Sequence, residues 1–324
     1  MINPLNATFN RRLFVKAISA TGFGAALAAT PVSAAMRIAD ILRIGGRSSE
    51  ISRTRFIMGT DVTISAVHES AEEAAKGIQA AFDEMERLAA LFDRRNTDSE
   101  ISRLNRTGRL DNPSPEFVEL IDHARSHYLR SNGVFDPTVP AEQVTQETQP
   151  DRSAHFSAAI RKNGNEMRLE SKDVQINLDG IGRGYIVDRA SEMLSSLGIE
   201  NHLVNAGSDI RAKGERTPGQ PWIVAITGPW KKEYFQAVIT LKDAAVSTSG
   251  GKTFVNEKSA QPWASVSVTA PTSAEADALS TAAFLMDTRK AELFINGQKN
   301  CGGLMLAQDG KKTFSRSWQK LVGI

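Results

Sequence analysis

"VQINLDGIGRGYIVDRA", Val174 to Ala190, sets glycines at 180, 182 and 184 directly ahead of a helix-like run. Glycine lets backbone come close to a ligand, and a helix that opens just after it offers unpaired N–H groups to an anion. Arg183 adds positive charge between two of the glycines. The spacing G-x-G-x-G is not the G-x-G-x-x-G of a dinucleotide-binding βαβ unit, and the acid expected about twenty residues further on is not set up. Two readings stand: a loop that holds a phosphate, and a tight strand-to-helix turn.

Outward from the loop, "EMRLESKDVQINL" reads as a hairpin entering it and "YIVDRASEMLSSLG" as the helix leaving it. Strand candidates then crowd together in "HLVNAG", "PWIVAIT", "FQAVITL", "AAVSTSG" and "ASVSVTA". A helix, "SAEADALSTAAFLM", follows, and after "RKAELFIN" comes a last strand, "GGLMLAQ". Upstream, "RFIMGTDVTISAVH" alternates as a strand with an irregular point at Met58 and Gly59. Ser70 and Glu73 form a capping-box pattern before a helix whose Ile78, Phe82, Met85, Leu88 and Phe92 share one face. A second helix runs from Pro115 to about Arg130, with Phe117, Leu120, Ile121, Ala124 and Tyr128 inward and "SNG" closing it. Ala141 to Asn165 is polar and reads as loop with one short helix. Helices and strands mix without strict βαβ alternation, so the fold class is α+β around antiparallel or mixed sheet.

The chain of 324 residues has ordinary globular composition, 41% hydrophobic and 23% charged. A single cysteine, Cys301, excludes a disulfide framework and a cysteine-based metal cluster, and reads as packing. His123 and His127 stand four apart on a helix, but no glutamate completes a metalloprotease pattern and no third ligand is evident. Residues 1–34 read as a twin-arginine signal peptide: "NRRLFVK", a weakly apolar run too short to anchor in a bilayer, then "PVSA" with a cut after Ala34. No cysteine lies near that cut, which excludes a lipid anchor, and the expected location is the periplasm. Residues 35–53 read as linker and 54–324 as the folded domain. Loss of the leader, which carries Arg11, Arg12 and Lys16 and no acid, takes the formal net charge from +2 to −1. Nucleic-acid binding, which needs concentrated positive charge, therefore has no electrostatic support.

Two further stretches bear on the glycine loop. In "EADALSTAAFLM", Asp277 and Thr281 share a helix face, a carboxylate and a hydroxyl of the kind magnesium accepts, though ordinary amphipathic helices carry such pairs too. "AAVSTSGG", Ala244 to Gly251, ends a strand in hydroxyls and glycines, as a ligand rim or a turn does.

Taken together in order, "MGT", "DSEISRLN", "GVFDPTV", the glycine loop, "VNAGSDIRAKG", "AVSTSG" and "VSVTAPTSAEADALSTAAFLM" resemble the FAD:protein FMN transferase family, the ApbE proteins. The resemblance implies Mg2+-dependent transfer of FMN from FAD to a Ser or Thr hydroxyl of an acceptor flavoprotein in an exported or membrane electron-transfer system, with release of AMP. It implies Asp277, Thr281 and the carbonyl of Gly180 as magnesium ligands. Met58, Asn177 and Arg183 would contact FAD, and Thr248 and Ser249 would border the same pocket.

The chain departs from the family loop D-L-G-G-I-A-K-G in carrying Asn177 for the aspartate, Asp179 for a glycine and Arg183 for the lysine. The segment H-x-I-D-P-x-T-G, with a histidine proposed as the base, is missing after "TSG", so the catalytic base is unknown. Two alternatives follow: an FAD-binding carrier without turnover, and an FAD pyrophosphatase.

Overall fold

The computed structural model describes residues 48–138, 156–171, 174–229, 234–250 and 262–320, with the two-residue strands at 9–10, 26–27 and 42–43. The twin-arginine motif, the cut after Ala34 and the stretch Lys252 to Gln261, where the family's histidine segment would fall, lie outside the described residues.

The chain opens with a hairpin, β1 (Ser49–Ile57) and β2 (Thr60–His68). The segment read as one irregular strand is thus two, joined through Met58 (φ 54°) and Gly59 (φ 75°). Positive φ at both central residues is the two-residue turn whose twist matches antiparallel strands. β1 begins at Ser49, inside the stretch read as linker.

Helix α1 (Ala71–Phe92) buries Ile78, Phe82, Met85, Leu88 and Phe92, as its periodicity predicts. Its cap differs from the expected box. The Ser70 hydroxyl accepts the Glu73 N–H, but the Ser70 N–H donates to His68 Nδ1 and the Glu73 carboxylate pairs with Lys76. Next come α2 (Glu100–Thr107), β3 (Arg109–Asp111), α3 (Pro115–Arg130), the short α4 (Phe156–Ala159), β4 (Ile160–Asn163) and β5 (Glu166–Leu169). β3, β5 and β4 form a small antiparallel sheet. The expected loop to Asn165 therefore contains a strand, and the expected hairpin into the glycine loop is replaced by the β4–β5 pair. Val174 to Leu178 joins no strand ladder; Asn105 clamps it instead, its side chain bonding both the N–H and the C=O of Ile176.

The remaining elements are α5 (Gly182–Ser196), β6 (Asn201–Ala206), β7 (Asp209–Lys213), β8 (Trp222–Thr227), β9 (Tyr234–Leu241), β10 (Ala244–Gly250), β11 (Trp263–Ala270), α6 (Ser273–Phe284), α7 (Thr288–Asn296), β12 (Gly302–Ala307) and β13 (Lys312–Phe314). The main sheet runs β13-β12-β11-β10-β7-β6-β2-β1, with Leu42–Arg43 beyond β1, and every pairing in it is antiparallel. Helices α1, α5 and α6 pack on one face of it around Val62, Ile64, Ala245, Val266 and Val268. The β8–β9 hairpin packs on the other, against Leu203, Ile210, Val246 and Leu304. The architecture is α+β.

Candidate active site between the glycine loop and helix α6

Helix α5 starts at Gly182, so Gly182 and Gly184 lie in its first turn rather than in a loop before Tyr185. No side chain of its own caps it. The Gly184 N–H instead donates to Asp277 Oδ2 on α6 at 3.2 Å. The favour is returned: Asp188, on the second turn of α5, accepts the N–H groups of Ser273 and Ala274 at the start of α6, both at 2.8 Å. Each helix thus places a carboxylate on the other's positive N-terminus, which satisfies N–H groups that a helix start leaves unpaired. The two backbones meet at Gly184, where a Cβ would stand 2.4 Å from the Ser273 carbonyl oxygen. This is the physical reason for glycine at 184. The helix start was expected to offer its N–H groups to a bound anion; at Gly184 that anion is Asp277.

Thr281 lies one turn beyond Asp277. A Cβ on Gly180 would stand 3.1 Å from Thr281 Oγ1 and 3.3 Å from Phe135, so the loop backbone comes close to the hydroxyl and any side chain there would press on it. Gly180, about a hundred residues upstream, thus meets Thr281, one turn from Asp277 on α6. Ser249 Oγ lies 3.2 Å from Thr281 Oγ1 and 2.8 Å from Ser280 Oγ. Thr248, its neighbour in β10, points to the opposite sheet face. It bonds Ser267 at 2.8 Å and lines a cavity of about 300 Å3 with Thr60, Ser208, Ile210 and Val224. Thr248 and Ser249, expected to border one pocket, turn to opposite faces of the sheet, as alternation along a strand requires.

Arg183 projects from the first turn of α5 toward the β6–β7 turn. Its Nε pairs with Asp209 Oδ2, and its Nη2 donates to Ser208 Oγ at 2.7 Å. Asp209 is fully buried and also accepts from Ser247 Oγ at 2.6 Å and Ser208 Oγ at 2.8 Å. Met58, in its turn, is half-buried against the main core. Thr60, which follows that turn, packs on Gly207, whose Cβ would be 3.1 Å from the Thr60 hydroxyl. Asn177 spends Oδ1 on the Asp179 N–H and its own N–H on the Pro137 carbonyl, so it shapes the loop as well as lining it. Asp179, substituted for a loop glycine, is exposed and pairs with Arg94.

Burial sets the electrostatics here. Burial, then the nearby Asp209 charge, push the Asp277 carboxyl well above the usual carboxylate range, and Arg183 opposes them. Two buried carboxylates thus share one guanidinium, which favours a proton on Asp277. The Asp277 carboxylate and the Thr281 hydroxyl are hard oxygens of the kind Mg2+ accepts together with water and substrate phosphate. Among the described residues no group of three His, Cys, Asp or Glu side chains forms a denser alternative. The histidine pair separates: His123 is exposed beside Glu119, while His127 is buried, its pKa lowered to about 3 by that burial. Cys301 is buried, as expected of packing.

Sequence reading missed Asp209, Ser208, Ser247, Ser280 and Asp188. Asp209 carried a usable signal, an acid opening a strand directly after the Gly207–Ser208 turn.

The ApbE family model matches residues 58–305. The FAD:protein FMN transferase of Haemophilus influenzae is 29% identical over 271 residues, covering 71% of this chain and 77% of that protein. The FAD:protein FMN transferase of Salmonella typhimurium is 26% identical, covering 78% and 83%. Among solved structures, the ApbE protein of Thermotoga maritima superposes with a TM-score of 0.72 at 25% identity, over 85% of this chain and all (100%) of that one. The flavin transferase ApbE of Vibrio cholerae shares the fold at a TM-score of 0.68 and 22% identity, over 85% and 99%. The chain belongs to the ApbE family.

Proposed function

We propose that this protein moves FMN from FAD onto a Ser or Thr hydroxyl of an acceptor flavoprotein, releasing AMP, in the periplasm after twin-arginine export. The observation that carries the reading is the meeting of Gly180 with Thr281, one turn from Asp277, beside Arg183. In the step, the acceptor oxygen forms a bond to the FMN-side phosphorus, the bond from that phosphorus to the bridging oxygen breaks, and the acceptor proton leaves to solvent or to a base on the acceptor. Asp277, Thr281 and the Gly180 carbonyl would hold Mg2+, which when bound withdraws charge from the phosphoryl oxygens. Arg183 supplies fixed positive charge beside the diphosphate. Phosphoryl transfer passes through a loose transition state in which positioning and electrostatics dominate, so a site without a histidine base remains chemically competent. The named homologues, FAD:protein FMN transferases over most of their length, support the same assignment.

One observation favours a second reading. His202 is fully buried, with both ring nitrogens engaged by Ser191 Oγ and the Ile199 carbonyl, and no histidine among the described residues adjoins Asp277. A carrier that binds FAD without turnover, or a pyrophosphatase that uses water, needs no acceptor base.

The mature protein, mixed with FAD, Mg2+ and an acceptor bearing the flavinylation tag, separates these. Flavin fluorescence on the denatured acceptor, with AMP in solution, is expected. AMP and free FMN without labelled acceptor would replace transfer by hydrolysis. Retained FAD with neither product would replace it by carriage.

A further inference from the structure

Arg183 and Asp209 form a closed ring with Ser208. Nε of Arg183 meets Asp209 Oδ2, Nη2 meets Ser208 Oγ at 2.7 Å, and Ser208 Oγ donates to Asp209 Oδ2 at 2.8 Å. Asp209 is anchored from behind by Ser247 and its side chain is fully buried, whereas the Arg183 side chain is 37% exposed. The third nitrogen, Nη1, has no hydrogen-bond partner among the described residues. A guanidinium held on two nitrogens by a rigid buried partner has its remaining donors aimed, and a planar fork of this kind matches phosphate oxygens. Resting on the reading of the site as an FAD site, we infer that Asp209 is a positioning residue: it fixes the Arg183 guanidinium so that Nη1 meets the diphosphate of the dinucleotide.

Two roles for Asp209 give opposite signs. An acid that acted through its charge alone would repel an anionic diphosphate, so neutralising it would tighten FAD binding. An acid that aims the guanidinium would, once neutralised, release Arg183 toward solvent and weaken binding. Asp209→Asn keeps the size of the side chain and an acceptor for Ser247, which protects the fold; its melting temperature is measured alongside.

The experiment is FAD and riboflavin binding at fixed Mg2+ for wild type, Asp209→Asn, Arg183→Ala and the double variant. Expected are a loss of FAD affinity of about tenfold in Asp209→Asn, the scale of one charge-assisted hydrogen bond, and riboflavin affinity, which involves no phosphate, unchanged. The double variant should bind FAD no more weakly than Arg183→Ala alone, because the two residues act as one unit. Tighter or unchanged FAD binding in Asp209→Asn overturns the inference, as do additive losses in the double variant. Failure of the wild type to bind FAD would instead overturn the FAD reading itself, so the two failures are distinguishable.

Discussion

The two faces of strand β10 have opposite characters. Ala245, Ser247 and Ser249 turn toward the helices, where Ser247 bonds the buried Asp209 and Ser249 bonds Ser280 and Thr281. Val246 and Thr248 turn toward the β8–β9 hairpin, among Ile210, Val224 and Ile226, with no ionisable side chain lining the cavity there. One strand, by alternation alone, separates charge chemistry from apolar packing. Buried charge is tolerated on the helix face because two helix N-termini converge there and every carboxylate finds N–H, O–H or guanidinium donors. Around Val246 and Thr248 the hairpin face offers only hydroxyls, and the buried acid on that face, Glu50 in β1, is paired with Arg216.

The largest expected effect tests that convergence. Gly184→Ala forces a Cβ to within 2.4 Å of the Ser273 carbonyl oxygen, a backbone atom, and should cost about 3 kcal/mol by overpacking. Gly182→Ala meets nothing closer than Leu178 Cβ at 3.8 Å and should be neutral or stabilising by up to about 1 kcal/mol. Equal denaturation midpoints for the two variants would break the claim that the helices touch at 184.

The next effect is a pH slope, also a property of the helix face. Burial lowers the His202 pKa to about 4, below its ordinary 6.5. The folded state holds the ring neutral while the unfolded chain takes up the proton, so its contribution is intact above pH 6.5 and is lost as pH falls toward 4. Asp188, raised by burial to about 6, acts in the opposite sense, being relieved as pH falls through that value. His202→Gln isolates the first term: between pH 6.5 and 4 it should lose less stability than wild type, by on the order of 3 kcal/mol. Parallel curves in a denaturant series at each pH would remove His202 from the account.

The smallest effect sharpens the contrast within β10 itself. Ser249→Ala removes a partner of Thr281 Oγ1 and should raise the Mg2+ concentration needed for half-maximal transfer about fivefold, the worth of one hydrogen bond of about 1 kcal/mol. Thr248→Val, on the other face, should leave that concentration within about twofold, since its hydroxyl touches Ser267 and not the cation site. Equal responses would mean the faces are not separate.

The helices and most strands were legible because their periods were clean, as in Ile78, Phe82, Met85 and Phe92 of α1. The Met58–Gly59 turn was seen as an irregularity but not as a hairpin, because β-turn residues of the N-G kind are absent there. Val174 to Leu178 looked like a strand by alternation; its backbone bonds instead the Asn105 side chain, at Ile176, and the Pro137 carbonyl, at Asn177, long-range contacts no local pattern reveals. Asp277, Thr281 and Gly180 came from motif order. Asp209 and the crossed caps of Asp188 and Asp277 did not, since they depend on how two helix ends meet in space.

The most direct test is FAD affinity measured with and without Mg2+ in wild type and in Asp277→Asn, which keeps an acceptor for the Gly184 N–H while removing the charge. Mg2+ should tighten FAD binding tenfold or more in the wild type, the scale of one well-placed charge interaction, and should have little effect in the variant. The same Mg2+ enhancement in both proteins would contradict a cation held between the glycine loop and Asp277.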